Sequence, residues 1–151
     1  MGTNHCKRVG LCLLFLSFLT IGGCGQMDQL SRTAAEIEGF IGSLDFDELS
    51  KQITAALNEL RSQSNMRGLA SGDAYSSGYS NNISAGPVDL NQFLMSYDPS
   101  EKNLARYLTN QWMTDPYFSS QLMNPYYSSF GANFGYNPGS GVLYPYYYLG
   151  M

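Results

Sequence analysis

The sequence predicts a mainly α protein: an N-terminal helical hairpin, a flexible linker, and a small, irregular, helical Tyr-rich C-terminal region with substantial disorder. Three observations carry this expectation. Apolar residues between Leu30 and Leu60 recur every three or four positions, which is the period of one helix face. Residues 62–87 contain 14 Gly, Ser or Asn among 26, a composition with too little apolar area to offset the entropy of ordering it. Pro116–Met151, 36 residues, holds 8 of the chain's 12 Tyr and no Asp, Glu, Lys, Arg or His.

Residues 1–23 read as an address. Lys7 and Arg8 precede an uncharged apolar run of 13 residues, Val9–Ile21, the n-region and h-region of a secretory signal. A membrane-spanning helix needs about 20 apolar residues, more than this run supplies. The signal ends Ile21-Gly22-Gly23-Cys24: an aliphatic residue, two small residues that let the backbone lie extended in a peptidase groove, and a thiol. This segment resembles the lipobox of bacterial lipoproteins. The resemblance covers residues 1–25 and implies that Cys24 takes a diacylglycerol and becomes the mature N-terminus. The resemblance implies the diacyl group and normally a third acyl chain, which exceeds the two signals that stable anchoring requires. The residue after the Cys is Gly25, not Asp, which in the enteric sorting pattern implies the outer membrane in preference to the inner. The mature chain, Cys24–Met151, has 128 residues and one Cys, so no disulfide forms within it. The alternative is ordinary signal-peptidase cleavage after Gly25 and secretion.

The 151 residues allow one small domain at most. Residues 24–62 follow the anchor with two helices, about 28–43 and 46–62. Leu30, Ala34, Ile37, Ile41 and Leu44 define one stripe, and Leu49, Ile53, Ala56 and Leu60 a second. The five-residue step from Leu44 to Leu49 breaks the phase. Asp45 with Glu48 three residues on matches a capping box that starts the second helix, and Gly42 suits the end of the first. The pair closes a hairpin or supports a coiled-coil association. Residues 63–87 are the linker. In residues 88–130, short helices are expected at about 89–96 and after Asp98-Pro99-Ser100-Glu101, where Asp98 is read as N-cap, Pro99 as N1 and Glu101 as N3. Leu104, Tyr107, Leu108 and Gln111/Trp112 form one face of the latter. Asp115-Pro116 and Asn124-Pro125 each pair an N-cap residue with Pro and are expected to open a helical turn. Residues 131–151 form an uncharged Tyr/Gly-rich tail; Asn137-Pro138-Gly139 marks a turn, and Pro145 demotes Val142–Leu149 to an edge strand at best.

Composition narrows function more than it defines it. The net charge is −4, with 8 Lys and Arg against 12 Asp and Glu; loss of Lys7 and Arg8 with the signal makes it about −6. An acidic chain lacks the basic surface that nucleic acid demands. The single His, His5, leaves with the signal, so no imidazole serves as base or ligand. Asp45, Asp47 and Glu48 are explained by helix capping and the macrodipole, and Lys51 and Lys102 by solvated helix faces. No enzymatic activity, cofactor or metal is therefore expected. The remaining candidates are aromatic: Trp112, Tyr117, Tyr126, Tyr127, Tyr136, Tyr144, Tyr146, Tyr147 and Tyr148. A Tyr offers an apolar face and a hydroxyl, suited to sugars, peptides or interfacial lipid. Two readings follow. One is a lipid-anchored envelope lipoprotein, held by acylated Cys24, with a structural role or a protein or glycan partner. The other is a secreted Tyr/Gly-rich binding or matrix protein whose tail self-associates.

Overall fold

The structure is a computed structural model that describes residues 34–72 and 83–151. It divides into units 1–36 and 37–151. The first lies almost wholly outside the described residues, as do Cys24, the signal, the expected helix start at 28 and the centre of the expected linker. Five helices and a five-stranded mixed sheet account for the rest, so the fold is α/β and not mainly α.

Helix α1 occupies 34–43 and α2 Phe46–Gln63, with Leu44 and Asp45 between them. Asp45 starts α2 as expected: its carboxylate accepts the N–H groups of Asp47 at 2.9 Å and Glu48 at 3.1 Å. The reciprocal half of the capping box is supplied from elsewhere. Asp45 donates its own N–H to Glu101 Oε1 at 2.9 Å, while Glu48 accepts from Gln52 Nε2 and pairs with Lys51.

The buried face of α2 is Leu49, Ser50, Ile53, Thr54, Leu57 and Arg61, with Ala56 and Leu60 only half-buried. It is rotated from the expected stripe because three polar residues belong to it, each satisfied internally. Ser50 Oγ accepts the Ala132 N–H, Thr54 Oγ1 donates to the Ser50 carbonyl, and Arg61 is fully buried. The Arg61 guanidinium donates to the carbonyls of Arg67 and Leu122, both at 2.8 Å, Asn124 at 3.0 Å and Tyr127 at 3.3 Å. Burial lowers its pKa. A planar fork of donors can bind several carbonyls at once, which a lysine ammonium does less well.

The expected linker contributes structure at both ends. Leu69 is buried, and Asn58 holds its backbone through both amide atoms. Strand β1, Ala70–Ser71, then runs parallel to the end of a long hairpin. On the other side, β2 is Ile83–Ser84 and β3 is Val88–Asp89.

Three helices follow. Helix α3, Leu90–Ser96, is capped by Asp89. Helix α4, Glu101–Thr114, has Ser100 as its N-cap in place of the expected Asp98: Ser100 Oγ accepts the Asn103 N–H at 3.2 Å, while Glu101 accepts the Asp45 N–H. Its buried face is Leu104, Ala105, Tyr107, Leu108, Thr109 and Trp112, while Gln111 is exposed. Asp115-Pro116 opens α5, Pro116–Leu122, with Pro at N1 as expected. Asn124-Pro125 opens only a turn, in which Asn124 Oδ1 accepts the Tyr126 N–H.

The expected disordered tail is instead the centre of the sheet. Strand β4, Ser129–Asn137, and strand β5, Val142–Gly150, form a nine-pair antiparallel hairpin around Pro138–Gly141. The strand order is β1-β4-β5-β2, with β3 also on β5. Pro145 therefore sits in a strand flanked on both sides. Its carbonyl accepts the Ala85 N–H at 3.0 Å, so its polar side points away from β4. The side where its N–H is missing faces Ala85, just ahead of Gly86-Pro87, where the neighbouring chain, with Gly86 at φ +80°, passes from β2 to β3. The imino acid therefore takes no hydrogen bond from the β4 ladder.

Along the hairpin, Phe130, Ala132, Phe134 and Tyr136 lie opposite Leu149, Tyr147, Pro145 and Leu143, respectively, on one face. That face carries the core. Trp112 meets Tyr147 at 5.4 Å and Phe130 at 6.4 Å between ring centroids, Phe118 meets Tyr147 at 6.1 Å, and Phe46 stacks on Phe134 at 5.3 Å. Such pairs add about 0.5–1.5 kcal/mol each beyond area burial. A second aromatic group, Phe40, Phe93, Tyr97 and Tyr107, joins α1, α3 and α4.

Candidate interaction surface

The pleat that places one side of β5 in the core places the other outward. Tyr144, Tyr146 and Tyr148 form a row there. In register, Tyr144 lies opposite Gly135, Tyr146 opposite Asn133, and Tyr148 opposite Gly131. On the far side of β5, Tyr146 pairs with Ser84. Tyr146 thus has an amide on one flank and a hydroxyl on the other, all on one face of the sheet. Tyr144 is 36% and Tyr146 37% exposed, and Asn133 and Ser84 are both exposed.

The glycines of β4 shape this face. Tyr148 reaches across its strand so that its ring and hydroxyl occupy the space a Cβ on Gly131 would take, and its hydroxyl donates to the Gly72 carbonyl at 2.5 Å. Tyr148 is consequently buried and closes one end of the row. At Gly135 a Cβ would lie 3.7 Å from Tyr144 Cβ and 4.0 Å from Tyr146 Cε2. The Tyr146 ring therefore leans diagonally toward Gly135 on β4. The result is a shallow aromatic shelf along one strand, with adjacent Tyr about 7 Å apart at the usual strand rise.

The shelf is uncharged. Neither β4 nor β5 contains an ionisable group other than Tyr. Among the described residues the charge nearest in register is Asp89, opposite Val142, and its carboxylate is engaged by the N–H and the side-chain amide of Asn91. The surface can stack on an apolar ligand face and exchange hydrogen bonds with neutral groups.

The nine aromatic candidates divide into three sets. Trp112 and Tyr147 are core residues, 2% and 0% exposed, and Tyr136 is half-buried on the same face. Burial raises the Tyr147 pKa, with smaller contributions from Tyr117, Asp115 and Tyr127. Tyr136 is raised by burial and then by the negative charge of Glu38. Tyr117, Tyr126 and Tyr127 cluster around α5 and the following turn. Tyr117 and Tyr126 are exposed, whereas Tyr127 donates to Gln121 Oε1 and is half-buried. Only Tyr144, Tyr146 and Tyr148 share the open sheet face. Asn133 and Ser84 complete that surface and were not singled out by sequence. The signal that finds Asn133 is the alternation Phe130-Gly-Ala-Asn-Phe-Gly-Tyr136, period two with the bulky residues on one side.

Among the described residues, no group of three His, Cys, Asp or Glu could hold a metal ion, and no helix is long and apolar enough to cross a membrane. Compared with known proteins, the chain matches no family model, no curated protein and no solved structure.

Proposed function

We propose that this protein is a lipid-anchored envelope protein whose folded α/β unit serves as a binding module, with the open face of the sheet as its contact surface. The observation that carries the binding role is the exposed pair Tyr144 and Tyr146, displayed with Asn133 and Ser84 on the face of the sheet opposite the aromatic core. Aromatic residues on a rigid sheet supply contact area at low entropic cost, because two χ angles are all that need fixing. The anchoring role rests on the lipobox resemblance of Ile21-Gly22-Gly23-Cys24. Acylated Cys24 then holds the module at the membrane surface, and the chain acts by contact, not by catalysis.

Intact mass spectrometry of the protein extracted from cells tests the anchor. The expected mass is that of Cys24–Met151 plus a diacylglycerol, with or without an N-acyl chain; an unmodified chain starting at Gln26 defeats it. A photoreactive phenylalanine analogue at position 146 tests the contact surface. It is expected to form adducts in intact cells that the same analogue at position 126, exposed elsewhere, does not form. Equal labelling from both positions removes the sheet face from its role.

A further inference from the structure

We infer that the ligand of the open sheet face is a neutral polysaccharide chain lying along β5 across Tyr144 and Tyr146. This rests on the reading of that face as a contact surface and names its occupant. Charge argues for it first. Every Asp, Glu, Lys and Arg of the chain lies at or before Asp115, and the shelf is built from residues after that point together with Ser84. Among the described residues, an anionic polymer meets no cation on the shelf, and the chain as a whole is acidic. Among the same residues a cationic peptide meets no carboxylate there, the nearest in register, Asp89, being already engaged by Asn91.

Shape and hydrogen bonding argue next. A pyranose ring has an apolar C–H face and a rim of hydroxyls. The Tyr146 ring offers the matching apolar face. Asn133 and Ser84, opposite it in register on either side, offer neutral donors and acceptors at the height of that rim. Gly135, opposite Tyr144, puts no side chain on β4 beside the shelf, whereas the space over Gly131 is filled by Tyr148. Tyr148, buried and bonded to the Gly72 carbonyl, bounds it at the other end. A repeating polymer laid parallel to β5 meets the two exposed rings in succession. An extended peptide, by contrast, adds to sheets at their edges through main-chain bonds, and here the exposed chemistry is on the face.

The test uses the full chain as recovered from its host, with chitin, cellulose and amylose as immobilised neutral polymers, their hexasaccharides as soluble probes, and polygalacturonate as the anionic comparison. Retention on at least one neutral polymer is expected, with the matching hexasaccharide as competitor. Tyr146→Ala is expected to weaken binding by at least about tenfold, the scale of a buried aromatic anchor. Asn133→Ala, which removes an exposed amide and little packing, is expected to weaken it several-fold and serves if the Tyr variant loses its fold. Tyr126→Ala, exposed but off the shelf, is expected to bind as the parent does. The inference is overturned by absence of binding to all three neutral polymers, by preference for polygalacturonate, or by neutral-polymer binding that both Tyr146→Ala and Asn133→Ala leave intact. Position-146 adducts consisting of protein alone, with no glycan retention, overturn the glycan while leaving the contact surface standing. Absence of position-specific adducts overturns both.

Discussion

Tyr146 and Tyr147 are neighbours in the chain and opposites in the fold. Tyr147 is fully buried between Trp112, Phe118 and Phe130, while Tyr146 is 37% exposed on the far side of the same strand. Nothing about the residue type separates them; the pleat does. The same division runs the length of the hairpin, with one face carrying the core and the other facing out. A run of Tyr is thus two populations with different duties, and composition alone averages over them. The largest effect that separates the two populations is loss of the inner ring. Tyr147→Ala is expected to destabilise the protein by about 3–5 kcal/mol, the usual range for removing a large buried aromatic, whereas Tyr146→Ala is expected to cost under about 1 kcal/mol because a half-exposed side chain gives up less burial. Urea denaturation of both variants measures the gap. Comparable losses would mean that the shelf is structural.

Arg61 sharpens the contrast from the inner side. It supplies the polar bonding that closes α2 onto the end of α5 and the turn before β4. Leu122 is the last residue of α5, so the guanidinium also meets the negative end of that helix. Arg61→Met keeps much of the volume and takes a donor from four carbonyls, of which, among the described residues, Asn124 alone keeps another, the Tyr127 N–H. A loss of about 2–4 kcal/mol is expected in the same denaturation experiment, since each buried polar group left unpaired costs on the order of 1–3 kcal/mol before relaxation. Arg61→Lys is expected to recover only part of it.

Next in size is the pair of glycines beneath the outer Tyr row. A Cβ on Gly131 would overlap the Tyr148 ring and lie 2.5 Å from the Gly72 carbonyl, a backbone atom that cannot swing aside. Gly131→Ala is expected to cost about 1–3 kcal/mol, as overpacking does. A Cβ on Gly135 makes only ordinary contacts, 3.7 Å or more, so Gly135→Ala is expected to change stability by no more than about 0.5 kcal/mol. Thermal melts of the two variants read the difference. If the two glycines behave alike, Tyr148 does not close the shelf as described.

The helices were legible in the sequence because their signals are local. Asp45 and Asp115 cap where their spacing predicts, and the Leu44 phase slip marks the real break between α1 and α2. The sheet was not. Ser50, Thr54 and Arg61 fall outside the apolar stripe that periodicity picks out, and only the tertiary structure supplies Ala132, Leu122 and Tyr127 as partners for Ser50 and Arg61. The Gly and Pro that enable the hairpin are also the residues of disordered chains. Pro145 argues against a central strand in the sequence, yet in the fold its polar side faces Ala85 and not β4, so the long hairpin keeps its ladder. The alternation in β4 was present all along, and the turn at Asn137-Pro138-Gly139 was read without the hairpin it joins. The aromatic candidates were found as a list, but their sorting into core and shelf needed the register of β4 on β5.

The smallest substitution isolates the inner hydroxyl from the inner ring. Tyr147 Oη is buried and has no hydrogen-bond partner. Tyr147→Phe removes it without disturbing the ring contacts to Trp112, Phe118 and Phe130. At neutral pH the variant is expected to match the parent within about 0.5 kcal/mol or to exceed it, because an unpaired buried hydroxyl contributes desolvation cost and no bond. High pH is where the two proteins part. Burial raises the folded-state pKa of Tyr147 above its unfolded value of about 10. The unfolded chain therefore releases this proton first, and the folded state is progressively disfavoured as pH climbs from about 10 toward the folded pKa, with the full contribution present below that window. Tyr147→Phe has no such proton to lose. Its stability is expected to fall less steeply than the parent's above pH 10, a difference that urea midpoints at pH 9, 10 and 11 would show. Parallel curves would mean that the Tyr147 hydroxyl titrates as an exposed phenol does, and that the two sides of β5 differ less in burial than the sheet register implies.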